Sequence, residues 1–172
     1  MINNSSKNES NIEFIVADEK DIDTLEDIRE SAFQPIFDSF RNILGKTIYE
    51  YAQLPEDEAQ KELLKSLFDE DSIWKTWKVN LEEVTVGFVS IRIDKKAKVG
   101  EIGLNAVHPK YAKRGIGTQM YDFAVEIMRN EGMKVATVAT GGDPSHLSAR
   151  KAYRKAGFDV EIPSVWMCQV IE

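Results

Sequence analysis

The chain has 172 residues, of which 42% are hydrophobic and 30% charged, and this balance is typical of a globular protein. The formal net charge of −7 disfavours nucleic acid as a partner, and no apolar run is long enough to cross a bilayer. The polar first ten residues lack the apolar part of a secretory signal, and the one cysteine, Cys168, excludes an internal disulfide. We therefore expect a cytoplasmic protein that binds no metal, membrane or nucleic acid.

The first hundred residues begin with a strand and continue with helices. Ile12–Ala17 is a short apolar run typical of a strand. Pro35 is expected to interrupt the helical pattern that follows, and Gly45 to end it. Apolar residues at helical spacing predict three helices in this region: Asp21–Ala32, Ile36–Leu44 and Pro55–Phe68.

From Ser72 onward the hydrophobic period changes from that of a helix to that of a strand. The pattern predicts strands at Ile73–Val79, Val84–Ile93, Glu101–Val107, Val135–Thr140, Phe158–Ile162 and Val165–Ile171, with helices from the glycine turn after Val107 to Asn130 and over Ser145–Ala156. The single strand–helix–strand crossover makes Glu101–Val107 and Val135–Thr140 parallel neighbours in an otherwise antiparallel sheet. We predict an α/β (α+β) protein with one mixed sheet. A flexible segment, 1–10, precedes a single domain, 11–172.

A glycine turn lies between the strand Glu101–Val107 and the helix that follows it. Gly115 and Gly117 open directly into that helix, and Lys113 and Arg114 precede them. The first main-chain N–H groups of a helix have no helical partner and lie at the positive end of the helix dipole. The turn therefore predicts an anion site, for which phosphate is the usual ligand.

Two motifs at separate places resemble the GNAT acetyltransferase superfamily, which transfers an acetyl group from acetyl-CoA to an amine. The first is Lys113-Arg114-Gly115-Ile116-Gly117, although Ala112 stands where Arg or Gln is usual. The second comprises His146, Ala149, Tyr153, Gly157 and Phe158, with His146 in place of the common Asn. A dinucleotide-binding motif is the competing interpretation, but a third glycine and an acid after the next strand are missing.

The resemblance implies acetyl-CoA as co-substrate, held by main chain more than by side chains. Its pyrophosphate would lie on the amides of residues 114–118, and its pantetheine arm along residues 104–107, where the two parallel strands separate. A strand edge can bind such an amide-bearing arm as it would an added strand. The implied cofactor-binding residues are Leu104, Asn105, Ala106, Val107, Lys113, Arg114, Gly115, Ile116, Gly117, Thr118, His146 and Tyr153.

Acetyl transfer to an amine requires a base, a donor to the developing oxyanion and an acid for the departing thiolate. By strand parity Glu101 points to the same side as Asn105, about 13 Å away, so a water would relay the proton. The resemblance implies that Glu101 is the base, that the N–H of Asn105 is the oxyanion donor and that Tyr153 is the acid. Tyr153 also lies on the apolar stripe of its helix, which alone would explain it as core.

The acceptor is expected near the first helices, where Phe33, Phe37 and Asp38 suggest a pocket with aromatic walls and one acid. Most of the acidic excess lies in residues 1–100, which favours a small cationic amine. A protein N-terminus or lysine is the alternative acceptor. A non-catalytic acyl-CoA sensor is the alternative of another class, and the sequence leaves a homodimer open.

Overall fold

The computed structural model describes residues 11–171, so the predicted flexible segment 1–10 lies outside the described residues. Its five strands form one sheet in the order β1-β2-β3-β4-β5. All neighbours are antiparallel except β4 and β5, which are parallel, so the predicted mixed sheet is confirmed. The strands are β1 (Ile12–Val16), β2 (Trp74–Leu81), β3 (Val84–Asp94), β4 (Val99–Val107) and β5 (Val135–Val138).

Helices cover both faces of this sheet. They are α1 (Ile22–Ile48), α2 (Leu54–Ser66), α3 (Ile116–Asn130) and α4 (Leu147–Lys155). A π-helical turn, Tyr49–Gln53, joins α1 to α2, and short 3-10 turns precede α1, α3 and α4. No helix within residues 11–171 has both the length and the apolar character that a membrane crossing requires.

The first helix is longer than predicted. Pro35 lies inside α1 rather than between two helices, so the predicted interruption there is wrong. The main-chain break comes ten residues later at Gly45, where φ is +69°. A proline costs a helix one hydrogen bond, and packing on both sides of it can compensate: Leu25 and Ile28 are buried before it, and Phe37 lines a cavity after it.

The two predicted C-terminal strands are also wrong. After α4 the described residues to Ile171 contain neither strand nor helix. A strand needs a hydrogen-bonded neighbour as well as an apolar pattern, and a sequence pattern cannot supply that neighbour.

Each face of the sheet has its own apolar cluster. On one face, Met120 and Ala124 of α3 and Tyr153 of α4 pack against strand residues such as Val89 and Ile102. On the other face, α1 and α2 pack onto the sheet, and Phe88 is the largest fully buried side chain there. β4 therefore lies between two helical layers, one formed by α3 and α4 and the other by α1 and α2.

A β-bulge in β4 changes which layer its side chains face. On β3, one residue, Ser90, lies between the partners of Ile102 and Asn105, whereas β4 places two residues, Gly103 and Leu104, between them. This two-against-one pairing is the definition of a bulge. Ser90 Oγ donates to Leu104 O at 2.9 Å, which fixes the irregular backbone.

Candidate active site

β4 and β5 separate beyond the point where their pairing ends. The parallel register runs from Val99 opposite Val135 to Ile102 opposite Val138, and no pairing between these strands follows it. The remaining residues of β4 therefore border a gap on their β5 side. The gap is where the sequence predicted an extended ligand along residues 104–107.

The main-chain N–H groups of Asn105 and Val107 face this gap. His108 donates its N–H to Val86 O at 2.8 Å, so these two residues form a hydrogen-bonded pair between β3 and the end of β4. Hydrogen-bonded and non-hydrogen-bonded pairs alternate along an antiparallel ladder. Val107 and Asn105 therefore belong to non-hydrogen-bonded pairs, so their N–H groups point away from β3 and toward the gap. The gap thus offers two free donors to an extended, amide-bearing molecule.

The N-terminus of α3 is a second main-chain donor site. The first hydrogen bond at this end of α3 runs from Gln119 N to Gly115 O at 3.1 Å, so the amides of residues 116–118 precede the helical ladder. Gly115 adopts φ +81° and ψ 0°, a left-handed conformation that favours glycine and directs the chain into the helix. Lys113 adopts φ +64°. Arg114 places its guanidinium over the ring of Tyr111 at 5.3 Å.

A hydrogen-bonded network connects β4 with α3 and α4. Asn105 Nδ2 donates to Gly103 O at 2.8 Å and to Tyr153 Oη at 3.1 Å. Tyr121 Oη donates to Asn105 Oδ1 at 2.9 Å, and the rings of Tyr121 and Tyr153 stack with centroids 4.2 Å apart. Sequence reasoning missed Tyr121 and the Asn105 side chain, because a tyrosine on a buried helical stripe has the same pattern as any core residue.

The donors and acceptors of this network can be assigned, and the Tyr153 hydroxyl proton makes no short hydrogen bond in it. A carbonyl oxygen can only accept, so the contact with Gly103 O fixes which end of the Asn105 amide carries hydrogens. The one hydroxyl proton of Tyr121 goes to Asn105 Oδ1, leaving Tyr153 only a long 3.5 Å contact to that atom. Burial raises the pKa of Tyr153 above its ordinary value, so the phenol is protonated at neutral pH.

Glu101 lies on the opposite face of β4 from the Asn105 side chain. Glu101 pairs across strands with Arg92, forms a salt bridge with it, and Arg92 lies 5.5 Å from the Trp74 ring in the layer of α1 and α2. The prediction that Glu101 and Asn105 share a side is therefore wrong, because the bulge shifts the alternation by one residue. The Glu101 side chain is nonetheless 31% exposed, and it lines a cavity that Asn105 also lines.

A cavity of about 460 Å³ brings together the three residues predicted to be catalytic and several of the other predicted site residues. It extends from the gap beside β4 to the inner side of α1, where Phe33 and Phe37 form part of its wall. Its other predicted lining residues are Glu101, Leu104, Asn105, His146 and Tyr153. α1 contributes aromatic side chains to this cavity, and β4 contributes polar groups.

Asp38 is not among the residues that line this cavity, and its place in an acceptor pocket stays a prediction. It is half exposed and accepts hydrogen bonds from Gln34 and Arg41 on the outer side of α1. Besides Glu101, the cavity is lined by one acid, Asp57 of α2, a buried residue that accepts from Tyr49 Oη and Gln53 Nε2, each at 2.8 Å. Asp57 had no sequence signal beyond its place among the acids that open a helix.

His146 lines the cavity and forms a hydrogen bond with Asp143. Its Nδ1 lies 2.5 Å from Asp143 Oδ1, and the ring is 6.0 Å from that of Phe40. Burial tends to raise the pKa of Asp143, but hydrogen bonds from Ser145 and His146 outweigh it and hold that pKa below its usual value. The ionised carboxylate accepts the Nδ1 proton, which leaves Nε2 as the basic nitrogen.

The site therefore combines helix N-terminal amides that precede the helical ladder, a strand gap faced by two amides and a buried, protonated tyrosine. The sequence profile of the acetyltransferase (GNAT) family matches residues 32–158, which is most of the chain and includes all of these features. This chain belongs to the GNAT acetyltransferase family. The suspected resemblance is confirmed. Curated proteins gave no significant match.

Solved structures of GNAT acetyltransferases share the fold of this one. PaiA N-acetyltransferase from Thermoplasma acidophilum, in complex with coenzyme A, is 20% identical, with a TM-score of 0.66 over 90% of this chain and 93% of its own. A GNAT acetyltransferase from Brucella melitensis, in complex with acetyl-CoA, is 15% identical, with a TM-score of 0.60 over 88% and 84%. Aminoglycoside N-acetyltransferase AAC(6')-Iy, with a bisubstrate analogue, is 13% identical, with a TM-score of 0.61 over 94% and 100%.

Several of the remaining predicted cofactor residues of this GNAT acetyltransferase have side chains that are packed away from solvent. Ile116 is buried in the apolar core, so only its amide is available at the N-terminus of α3. The side chains of Ala106 and Val107 pack into the apolar clusters in the same way. Among residues 11–171 no group of three or more His, Cys, Asp or Glu residues is arranged to hold a metal ion.

Proposed function

We propose that this GNAT acetyltransferase transfers the acetyl group of acetyl-CoA to a primary amine on a small cationic molecule, by direct transfer in a ternary complex. The observation that carries the acceptor class is the cavity lining: Glu101 and Asp57 supply two acids, and among the described lining residues there is no lysine or arginine. A cationic amine is attracted by such a lining, and the aromatic walls can hold its ammonium group or its carbon chain.

The residues present fit acetyl-CoA at two places. The amides of residues 116–118, with Lys113 and Arg114 beside them, suit a pyrophosphate at the positive end of α3. The free N–H groups of Asn105 and Val107 suit the amide-bearing arm in the gap. Structures of the PaiA and Brucella melitensis proteins with coenzyme A and acetyl-CoA support the same assignment.

Acetyl-CoA, when bound, supplies an acetyl group activated as a thioester. We assign Glu101 to accept the ammonium proton of the acceptor through a water, which frees the amine lone pair for attack. The N–H of Asn105 would donate to the thioester carbonyl oxygen as negative charge develops on it. As the carbon–nitrogen bond forms and the carbon–sulfur bond breaks, the Tyr153 hydroxyl would give its proton to the departing sulfur, and the second proton lost by the nitrogen would return through water to the phenolate.

Removing one main-chain donor from α3 tests the cofactor site. Gly117→Pro should raise the KM for acetyl-CoA about tenfold with little change in kcat, because a hydrogen bond to a charged group contributes roughly 1.5–3 kcal/mol. Proline is tolerated in the first turn, where the lost N–H has no helical partner. Gly117→Ala is the matched control, since its Cβ meets only Ala152 Cβ, at 3.8 Å, and Tyr121 Cε2, at 4.0 Å. Equal KM values in both variants would remove this amide from the site.

The hydroxyl of Tyr121 is expected to act through Tyr153. Tyr121→Phe should lower kcat about five- to tenfold at unchanged KM, because Asn105 loses the partner that holds its amide. The loss of this hydrogen bond to the part-buried Oδ1, which keeps only the long contact to Tyr153, should also lower the free energy of unfolding by about 1 kcal/mol. In a double variant with Tyr153→Phe, kcat should fall no further than in Tyr153→Phe alone. Additive losses would show that Tyr121 acts independently.

Thiol release from acetyl-CoA with a panel of amines tests the function itself. Diamines and amino sugars should give turnover, whereas neutral aryl amines of equal size should give much less. Turnover only with peptides bearing a free N-terminus or lysine would identify a protein acetyltransferase instead. Stabilisation by CoA in thermal shift without turnover on any amine would identify a sensor. The bisubstrate complex of AAC(6')-Iy, a CoA–acetylneamine conjugate, supports starting with amino sugars.

A further inference from the structure

Three residues form a row across neighbouring strands beside the cavity of the candidate active site. Arg92 of β3 is paired with Trp74 of β2 on one side and with Glu101 of β4 on the other. Residues directly opposite each other on adjacent strands place their side chains on the same face of a sheet. Trp74 and Glu101 both line the cavity, so Arg92 lies between two of its lining residues.

The indole of Trp74 extends across β3 and reaches β4. A Cβ on Gly103 would meet Cζ3 of this indole at 2.5 Å and Ser90 Oγ at 2.7 Å. Glycine at position 103 therefore leaves the room that the ring needs. By parity along β4, Gly103 and Glu101 belong to the same face, so the indole and the Glu101 carboxylate lie on one side of the sheet.

The guanidinium of Arg92 contacts both of its neighbours in this row. It forms a salt bridge to the Glu101 carboxylate through Nη2, and its Cζ lies 5.5 Å from the centre of the Trp74 ring, within the range of a cation–π interaction. A carboxylate beside the face of an aromatic ring is a binding site for an organic cation, because both partners attract positive charge. In this structure the cation at that site is the chain's own arginine.

The ion pair between Arg92 and Glu101 is open to solvent. The side chain of Arg92 is 43% exposed and that of Glu101 is 31% exposed. An ion pair with this exposure contributes little to stability, because water screens both charges and two long side chains must be held in one geometry. Replacement of Arg92 by another cation therefore costs the protein little, and the released guanidinium can be hydrated.

We propose that Arg92 occupies the site of the acceptor's ammonium group and competes with it, so that Arg92 is a specificity-determining residue for cationic acceptors. An incoming ammonium would take over the Glu101 carboxylate and the face of Trp74, while Arg92 turns into solvent. A neutral group cannot replace the arginine, because it offers the carboxylate no charge. The inference rests on the proposed function, since it takes a cationic amine as the acceptor and places it beside Glu101.

Calorimetric titration of 1,4-diaminobutane into the full chain tests this competition without requiring turnover. At pH 7 both amino groups of the probe are charged. Arg92→Met should lower its Kd about fivefold, which is roughly the factor that an exposed ion pair contributes. Lys75→Met is the matched control, because it removes the same charge beside Trp74 while its Nζ lies 5.2 Å from the Trp77 ring, in the layer of α3 and α4. The control should keep the wild-type Kd within about twofold. An unchanged Kd in Arg92→Met, or an equal gain in Lys75→Met, would overturn the proposal.

A double variant separates local competition from the effect of net charge. In Glu101→Gln the carboxylate that Arg92 and the diamine would share is lost, so the further change Arg92→Met should leave the Kd within about twofold. A gain that persists in the double variant would show that Arg92 acts only through net charge, which would refute the shared site.

The same titrations distinguish failure of this inference from failure of the proposed function. A Kd that responds to Arg92→Met as expected, without acetylation of any amine, would refute the proposed function and leave the cation site in place. Acetylation of diamines with a Kd that does not respond to Arg92→Met would refute this inference alone.

Discussion

Tyr153→Phe is expected to lower kcat about a hundredfold while leaving the KM for acetyl-CoA within about twofold, since general acid catalysis contributes roughly 10²–10⁴-fold. The ring would still stack on Tyr121 and pack against Phe158, so the substitution removes the hydroxyl and little else. Steady-state thiol release measures both constants. Equal thermal midpoints for the two proteins would show that the fold is unchanged.

The pH dependence gives the same prediction a second test. Burial raises the pKa of Tyr153, so its acid form persists above the ordinary tyrosine value of about 10. Wild-type kcat should therefore show no alkaline fall below about pH 10 that depends on this hydroxyl. A fall that appears near neutral pH in the wild type and disappears in Tyr153→Phe would contradict the assigned state, and an unchanged kcat would remove the role altogether.

Glu101→Gln is the second large expected effect, with kcat about a hundredfold lower at pH 7. At that pH the acceptor amine is an ammonium, with a pKa near 10 if it resembles lysine, and it must lose a proton before it can attack. The deficit should narrow as the pH approaches 10, because the free amine then forms without help from the enzyme. A rate comparison at pH 7 and pH 9.5 measures this narrowing.

His146→Gln is the matched control, because His146 lines the same cavity and carries a free Nε2. It should reduce kcat less than tenfold. If His146→Gln instead gives the large, pH-dependent deficit and Glu101→Gln does not, the base is the histidine oriented by Asp143.

Arg92→Met separates charge pairing from catalysis: it frees Glu101 from its salt bridge, and kcat should then change only a few-fold.

The parts of this site that the sequence predicts are those coded by local pattern. Gly115 followed by a helical stripe specifies the helix N-terminus, and the spacing from His146 to Phe158 places Tyr153. Both are read within one element, where the periodicity and the turn residues are sufficient. Confirmation of the parallel pair β4 and β5 follows from the same local evidence, because a strand–helix–strand crossover has few alternatives.

The parts that the sequence does not predict depend on neighbours distant in the chain. The bulge at Gly103 and Leu104 is a relation between two strands, so parity along β4 alone misplaces Glu101 relative to Asn105. Asp57 reaches the cavity only because α2 folds back along α1, and Asp38 misses it through the rotation of α1. Tyr121 contacts Asn105 and Tyr153, but it follows the apolar pattern of a core residue, and the sequence pattern reveals only its place in the core.

Because of the bulge, β4 is more sensitive to a change in its number of residues than to a change in their identity. Glu101 on one side of it faces the layer of α1 and α2, and Asn105 on the other contacts Tyr121 and Tyr153 in the opposite layer. Loss of a single residue between them would restore regular pleating and turn every later side chain of β4 through half a rotation. We therefore expect that substitutions along α1 and α2 can change the acceptor. An insertion or deletion in the six residues that follow Gly100 should instead disrupt the site.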